Sequence, residues 1–140
     1  MPQTIYPAYH ERNDMPITVE IVRGGKALYF CCTDPWSARD VLDAAETARK
    51  VYDTTAHPVP SLLDMRGART IPSDILRIRH SPTLTHAHAG GIVVIGANRL
   101  AKTVSDAIHT IINRPPAYFA SSEAEGWALL NQLIETADES

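Results

Sequence analysis

The polar residues best placed for binding chemistry lie in one short stretch, "SLLDMRGARTIPSDIL", at residues 61–76. An apolar run ends on Asp64, a charged turn follows, and Pro72-Ser73-Asp74 opens a predicted short helix. The residues expected to contact a partner from this stretch are Asp64, Arg66, Gly67, Arg69 and Asp74. A strand that delivers a polar turn to a helix can build a binding site, and it can equally build a simple corner.

Ser73 lies at the predicted start of the helix in this stretch. A phosphate at a helix N-terminus meets free backbone N–H groups and the positive end of the helix dipole, so about −1.5 to −2 charges are tolerated there. The structural alternative is that Ser73 or Thr70 caps the helix while Asp64 accepts hydrogen bonds from turn amides. The local sequence is compatible with both interpretations.

Metal and catalytic sites are not expected. His86 and His88 would share a face in a strand but would point in nearly opposite directions in a helix. No cysteine or carboxylate pair with ligand spacing accompanies them or His80, so we expect surface-loop histidines, no metal and no cofactor. An enzyme is not expected either, because G-x-S-x-G is absent and "GGIVVIGANRL" lacks the spacing of phosphate-binding and dinucleotide-binding loops.

The elements that position these residues follow from the hydrophobic pattern. Two β-rich runs flank Gly24-Gly25, which predicts a β-hairpin because glycine adopts the positive φ values of tight turns. Cys31 and Cys32 in the second run are predicted to point to opposite faces and to stay reduced. A helix with one apolar side is predicted to start at Asp34-Pro35. "PVPSLLDM" and "GGIVVIGAN" predict buried strands.

The rest of the chain continues the alternation of strand and helix. Asn98 begins a predicted helix whose apolar stripe runs from Leu100 to Ile112. "AYFA" predicts a short strand, and Ser122 with Glu125 predicts a capping box for a final helix. The predicted fold class is α/β, a single domain with a mixed sheet of about five strands and about four helices, in which an N-terminal antiparallel hairpin precedes a largely parallel remainder.

This order of elements and the stretch at 61–76 together resemble the STAS domain, the fold of bacterial anti-sigma-factor antagonists, over residues 17–137. In the antagonists a strand ends in an Asp-Leu-Ser-Gly turn, and an Ile-Asp-Ser-Ser-Gly segment opens a helix whose first serine is phosphorylated. Asp64-Met65-Arg66-Gly67 matches the first segment and Ile71-Pro72-Ser73-Asp74 the second, so the resemblance implies phosphorylation at Ser73. Pro72 replaces the family's Asp, and Ile75 stands where the family has Gly.

The end of the chain is most like the small STAS/SEC14-type proteins of unassigned function, with "GAN" before a helix, Phe119 in a strand and then "SEAEGWALL". The resemblance implies a non-enzymatic regulatory or protein-binding module with a kinase-like or anti-sigma-like partner. The alternative it implies is a domain that binds a small apolar ligand or a lipid, in a pocket flanked by Trp36.

Composition limits the other classes of function. The 140 residues are 44% hydrophobic and 21% charged, which predicts one globular domain at 16–138 after an N-terminal arm at 1–15. A formal net charge of −3 with scattered basic residues disfavours nucleic-acid binding. With no bilayer-spanning apolar run and no signal-like start, we expect a cytoplasmic protein. The hairpin edge and the arm offer surfaces that a second copy would cover, which suggests a homodimer.

Overall fold

The computed structural model describes residues 4–5, 16–96, 103, 106 and 117–138. They form an α/β domain around one six-stranded sheet whose strands are ordered as in the sequence. The strands are β1 (Thr4–Ile5), β2 (Ile17–Val22), β3 (Ala27–Thr33), β4 (Val59–Gly67), β5 (Ala89–Ile95) and β6 (Ala117–Ala120). The helices are α1 (Ala38–Tyr52), α2 (Pro82–Thr85) and α3 (Glu123–Asp138), and a 3-10 helix (Ile75–His80) precedes α2.

The sheet is mixed, as the sequence predicts. The pairs β1–β2 and β2–β3 are antiparallel, and the pairs β3–β4, β4–β5 and β5–β6 are parallel. The parallel register places Thr33 opposite Gly67, and Ile95 opposite both Asp64 and Ala120. The carboxyl ends of four strands therefore share one edge of the sheet, which is where open α/β sheets commonly carry their binding sites.

Helices cover both faces of the sheet. On the first face, here called the α1 face, α1, the 3-10 helix and α2 pack over a cluster that includes Leu63 and Met65 of β4. On the second face, the α3 face, α3 packs over a cluster that includes Leu62. Alternation along β4 thus supplies both clusters. β5 is buried from Gly91 to Ile95, because both of its faces are covered.

The predicted hairpin is β2–β3, and its turn is longer than a two-residue turn. Arg23, Gly24 and Gly25 form a 3-10 turn with φ values of 55°, 66° and 91°. The two glycines adopt these values without strain because they have no Cβ. Cys31 and Cys32 are free and lie on opposite faces of β3, as strand alternation predicts. Part of the β2 edge is covered by the chain itself, through β1.

The helix α1 begins later than the sequence predicts. Ser37 is its N-cap, with Oγ accepting from Asp40 N at 3.3 Å and the Asp40 carboxylate accepting from Ser37 N at 2.8 Å. Asp34 does not cap the helix because its carboxylate accepts hydrogen bonds from Arg69 N and Thr70 Oγ1. A contact distant in sequence therefore moves the helix start to the reciprocal capping pair.

The strand β6 and the helix α3 occur where the sequence predicts them. Ser122 Oγ accepts from Glu125 N at 3.1 Å, and Glu125 reaches back to Ser121 N at 2.8 Å. Of the helix predicted from Asn98 onward, the structure describes Thr103 and Asp106, which are helical. The remainder of that prediction, and most of the predicted arm at 1–15, lies outside the described residues.

Candidate functional site

Asp64 is the centre of a polar cluster at the end of β4. The residue is 4% exposed. Its carboxylate accepts from Tyr29 Oη at 2.6 Å and from Arg66 Nε and Nη2 at 2.9 and 2.6 Å. Its Oδ1 also accepts from Arg66 N at 3.0 Å. These donors fix the orientation of both carboxylate oxygens. The Asp64 carboxylate therefore orders the Tyr29 and Arg66 side chains and is not an exposed recognition group.

The hydrogen bonds of the cluster determine the protonation states of Asp64, Arg66 and Tyr29. Burial by itself raises the pKa of Asp64, but the hydrogen bonds from Arg66 and Tyr29 outweigh burial, and the pKa lies below its usual range. The hydrogen bond to Asp64 raises the pKa of Arg66. Burial and then the hydrogen bond to Asp64 raise the pKa of Tyr29. None of these three groups is therefore poised to exchange a proton near neutral pH.

The cluster extends to the start of α3. Arg66 Nη2 donates to Glu123 Oε1 at 3.1 Å, and Trp127 Nε1 donates to Glu123 Oε2 at 3.2 Å. The Trp127 ring stacks on Tyr29 with centroids 5.6 Å apart, and the Arg23 guanidinium lies 4.4 Å from the Trp127 centroid. Stacking, cation–π contact and charged hydrogen bonds thus fasten α3 to β3, β4 and the hairpin turn.

The segment from Arg69 to Asp74 packs against the start of α1. The Asp34 carboxylate accepts from Arg69 N at 2.6 Å and from Thr70 Oγ1 at 3.1 Å. At the other end of the segment, Asp74 Oδ1 accepts from Ala38 N at 3.2 Å. Two carboxylates therefore hold the segment at both of its ends.

The structure does not bring the predicted partner-binding residues into one cluster. Asp64 and Arg66 contact residues of the α3 face, whereas Arg69 and Asp74 contact the residues that precede and begin α1. Gly67 lies between the two groups, where an added Cβ would come within 2.8 Å of a Thr33 side-chain carbon. A larger residue at this point would therefore have to displace the Thr33 side chain.

Ser73 is exposed in the turn before the 3-10 helix, where Ile75 N donates to Pro72 O at 3.2 Å. The N-cap position of that helix is Asp74, which makes no side-chain cap hydrogen bond. Thr70 directs its hydroxyl to Asp34 instead. The interpretation of Ser73 or Thr70 as the helix cap is therefore wrong. The 3-10 helix has six residues, so few peptide dipoles align behind Ser73.

Trp36 lines a cavity on the α1 face. The cavity has a volume of about 60 Å³, is partly open to solvent, and has a surface of apolar atoms. Its walls include Phe30, Leu63 and Ile92 of the sheet, and Ile75, Ile78 and Leu84 of the short helices. Trp36 is 8% exposed and donates from Nε1 to Thr70 O at 2.8 Å, which joins the cavity to the segment that carries Ser73.

The fold of the chain is similar to that of a protein of known structure. No protein-family model and no curated protein matches the chain. A crystal structure of an uncharacterized DUF3478-family protein with a SpoIIAA-like fold, from Shewanella loihica PV-4, is similar, with a TM-score of 0.61 and 12% sequence identity over 93% of this chain and 96% of that chain. The chain has a SpoIIAA-like fold. The STAS-like fold predicted from the sequence is thereby confirmed.

Two histidines of this SpoIIAA-like domain, His86 and His88, make contacts with the end of α1 and the residue that follows it. His86 Nε2 lies 2.8 Å from Asp53 Oδ1, and His86 Nδ1 accepts from His88 N at 2.9 Å. His88 Nδ1 lies 3.2 Å from Tyr52 O, while His80 is exposed at the end of the 3-10 helix. Within the described part of the chain, no group of three or more His, Cys, Asp or Glu is arranged to hold a metal ion. No helix in this part of the chain has the length and apolarity to cross a membrane.

Several hydroxyl groups beside Asp64 and beside the cavity are not indicated as functional by the local sequence. Tyr29 is the partner of Asp64, and nothing in its local sequence indicates this. Tyr52 Oη and Thr83 Oγ1 are buried and have no hydrogen-bond partner among the residues that the structure describes. The sequence feature that could have indicated polar groups beside the cavity is Ser61, a polar residue inside the apolar run of a buried strand.

Proposed function

We propose that the chain is a non-enzymatic binding module that holds a small apolar molecule, or the apolar part of a lipid, in the cavity beside Trp36. The observation that supports this proposal is an apolar surface around about 60 Å³ of empty space. Such space is costly because the atoms that line it lose dispersion contacts. A ligand of matching shape restores those contacts, and the space has room for roughly four to six water-sized groups.

The walls of the cavity favour a ligand that enters from solvent. Val41, Leu63 and Ile75 line the cavity and are only half-buried. The wall with Ile75 and Ile78 is a 3-10 helix, whose hydrogen-bond geometry is poorer than that of an α-helix, so it adjusts at lower cost. Among the described residues, none that lines the cavity carries a formal charge. Apolar clefts of this kind are the usual sites for small molecules.

The test is a titration with methylcyclopentane, a compact hydrocarbon. Binding is monitored through the NMR chemical shifts of the Leu63 and Ile92 methyl groups. We expect saturable shifts in the wild type. Leu63→Trp fills the cavity and should abolish binding, whereas Leu133→Trp places the same ring on the α3 face and should preserve it. Native mass spectra of the protein purified from its own cells should show a copurifying apolar molecule. A wild type without saturable shifts would reject the proposal.

The second candidate function is binding of a protein partner under control of phosphorylation at Ser73. The observation that favours it is the surface around Ser73, where Ile71 is 40% exposed beside exposed Arg69 and Arg77. Exposed apolar residues among charged ones are typical of contact sites. A phosphate on Ser73 would repel Asp74 and weaken the hydrogen bond from Ala38 N that holds the segment.

Intact-mass analysis and affinity capture test this second candidate. Wild type recovered from its native cells should carry an added phosphate that Ser73→Ala lacks. Ser73→Asp should lose a partner that the neutral variant Ser73→Asn retains. If neither a phosphate nor a difference between these two variants is found, the candidate is rejected and the cavity proposal is unaffected.

A further inference from the structure

One wall of the cavity lies in front of buried hydroxyl groups that lack partners. Tyr52 is the last residue of α1, Thr83 belongs to α2, and neither Tyr52 Oη nor Thr83 Oγ1 has a hydrogen-bond partner in the described chain. The side chains of Thr83 and of Ser61 on β4 lie close enough to the Tyr52 hydroxyl to offset, as hydrogen-bond donors, part of the rise in its pKa that burial causes, but neither contact has the distance and angles of a formed hydrogen bond. Both Ser61 and Thr83 line the cavity. Buried polar groups are almost always hydrogen-bonded, so two unpartnered hydroxyls at one cavity wall require an explanation.

The Thr83 hydroxyl can reach the cavity without losing a hydrogen bond. Because the cavity surface is apolar, Thr83 presents carbon to it and its Oγ1 lies behind. A rotation about χ1 exchanges the methyl group and the hydroxyl. Threonine in helices populates two χ1 rotamers, and the rotation breaks no bond because Oγ1 makes none where it lies. The wall thus contains a hydroxyl group that can turn toward the cavity and hydrogen-bond to a ligand.

The chemistry of this wall favours a neutral group. Burial raises the pKa of Tyr52, so its hydroxyl keeps its proton and remains a donor. The Trp36 N–H is already used by Thr70 O. No lining residue of the described chain provides a charge to balance an ionised ligand group. Burying an unbalanced charge costs far more than burying a neutral group that is hydrogen-bonded.

We infer that the ligand of the cavity is a neutral amphiphile, with a compact apolar body and one hydroxyl or carbonyl group that hydrogen-bonds to the rotated Thr83 hydroxyl. This inference rests on the proposed ligand-binding function and adds the chemical class of the ligand. Carboxylates and ammonium compounds of the same size are excluded by the uncharged lining.

Three ring compounds of nearly equal size test the inference: cyclopentanol, methylcyclopentane and cyclopentylammonium. We expect Thr83→Val to weaken cyclopentanol binding about fivefold, the usual effect of one lost neutral hydrogen bond. Tyr52→Phe removes a hydroxyl that does not line the cavity, so it is the control and should leave the Kd of cyclopentanol within about twofold of the wild type. Both variants should leave the Kd of methylcyclopentane within about twofold of the wild type. Thr83→Ser keeps the hydroxyl and should keep the wild-type affinity for cyclopentanol. Cyclopentylammonium should bind at least about tenfold more weakly than cyclopentanol.

The outcomes separate this inference from the function on which it rests. If methylcyclopentane binds the wild type but Thr83→Val does not change the Kd of cyclopentanol relative to methylcyclopentane, the inference is overturned and the cavity remains a purely apolar site. A buried water that satisfies both hydroxyls would give this same result. If neither neutral compound binds, the proposed function and the inference both fail. Thermal unfolding checks that each variant folds, and Thr83→Ala decides the question should Thr83→Val not fold.

Discussion

Asp64 is a nearly buried charge whose hydrogen bonds to Tyr29 and Arg66 keep it ionised. We predict that Asp64→Asn lowers the free energy of unfolding by about 1–3 kcal/mol, because the amide presents donors to groups that are themselves donors. Asp43→Asn is the matched control, since Asp43 is exposed and lies 3.9 Å from Arg39, and it should change stability by less than about 0.5 kcal/mol. Urea denaturation at pH 7 measures both values. Equal effects of the two substitutions would contradict the assigned role of Asp64.

Asp64 should also make the stability of the protein depend on pH. The pKa of Asp64 is lower in the folded chain than its usual value, so its stabilisation is fully present above about pH 4 and is lost as the pH falls through the folded-state pKa. The difference in unfolding free energy between wild type and Asp64→Asn should therefore be constant from pH 7 to about pH 4 and shrink below it. Urea denaturation at a series of acidic pH values tests this, and a difference that widens on acidification would show that the sign is wrong.

Tyr52 contrasts with Asp64, because its buried hydroxyl has no hydrogen-bond partner among the described residues. We predict that Tyr52→Phe changes the unfolding free energy of the ligand-free protein by less than about 0.5 kcal/mol, or stabilises it, since removing an unpaired polar group also removes its desolvation cost. Differential scanning calorimetry provides the measurement. A loss of more than about 1 kcal/mol would show that the hydroxyl is hydrogen-bonded in the ligand-free protein.

At the scale of elements, the packing of α3 on the sheet depends on Gly126. A Cβ at this position would lie 2.6 Å from Ile95 Cγ1 and 2.8 Å from Ile95 Cδ1. Alanine gains about 1 kcal/mol of helix propensity over glycine, but overpacking typically costs about 1–3 kcal/mol. We therefore predict that Gly126→Ala destabilises the wild type.

The background variant Ile95→Ala supplies the control for Gly126→Ala. It removes the two Ile95 carbons that would lie 2.6 and 2.8 Å from the new methyl group and leaves Leu62 Cδ1 at 3.3 Å. Gly126→Ala should therefore destabilise this background less than the wild type, or stabilise it, and thermal unfolding of the four proteins gives the coupling energy. If Gly126→Ala destabilises both backgrounds by the same amount, contact with Ile95 is not the cause.

The elements differ in how far their boundaries follow from local sequence. The hairpin and β5 were predicted well, because Gly24-Gly25 and the β-branched run are signals contained in the elements themselves. The start of α1 was not predicted correctly, because Asp34 and Ser37 are both residue types that cap helices well. Which of the two caps α1 depends on the contacts of Asp34 with Arg69 and Thr70. The helix predicted after Ser73 became a 3-10 helix followed by a separate turn of α-helix, where Ser81 caps and Pro82 begins α2.

At the scale of the whole molecule, the two helical layers share one sheet and should unfold together. Trp36 reports on the α1 face and Trp127 on the α3 face. We predict that Trp36→Phe and Trp127→Phe, each with a single remaining tryptophan, show the same urea midpoint by fluorescence as by far-UV circular dichroism. Separate midpoints within either variant would mean that one layer unfolds independently of the sheet.

The sequence by itself determined the α/β class, the order of the described elements, the mixed sheet and the opposite directions of Cys31 and Cys32, because periodicity and turn residues act over a few positions. It also indicated the STAS-like fold. Only the tertiary structure decided that Tyr29 meets Asp64, 35 positions away, and that the hydroxyls of Tyr52 and Thr83 lie behind an apolar cavity. The physical reason is that these groups belong to different elements, whose side chains meet only after the strands pair in register and the helices pack on the sheet.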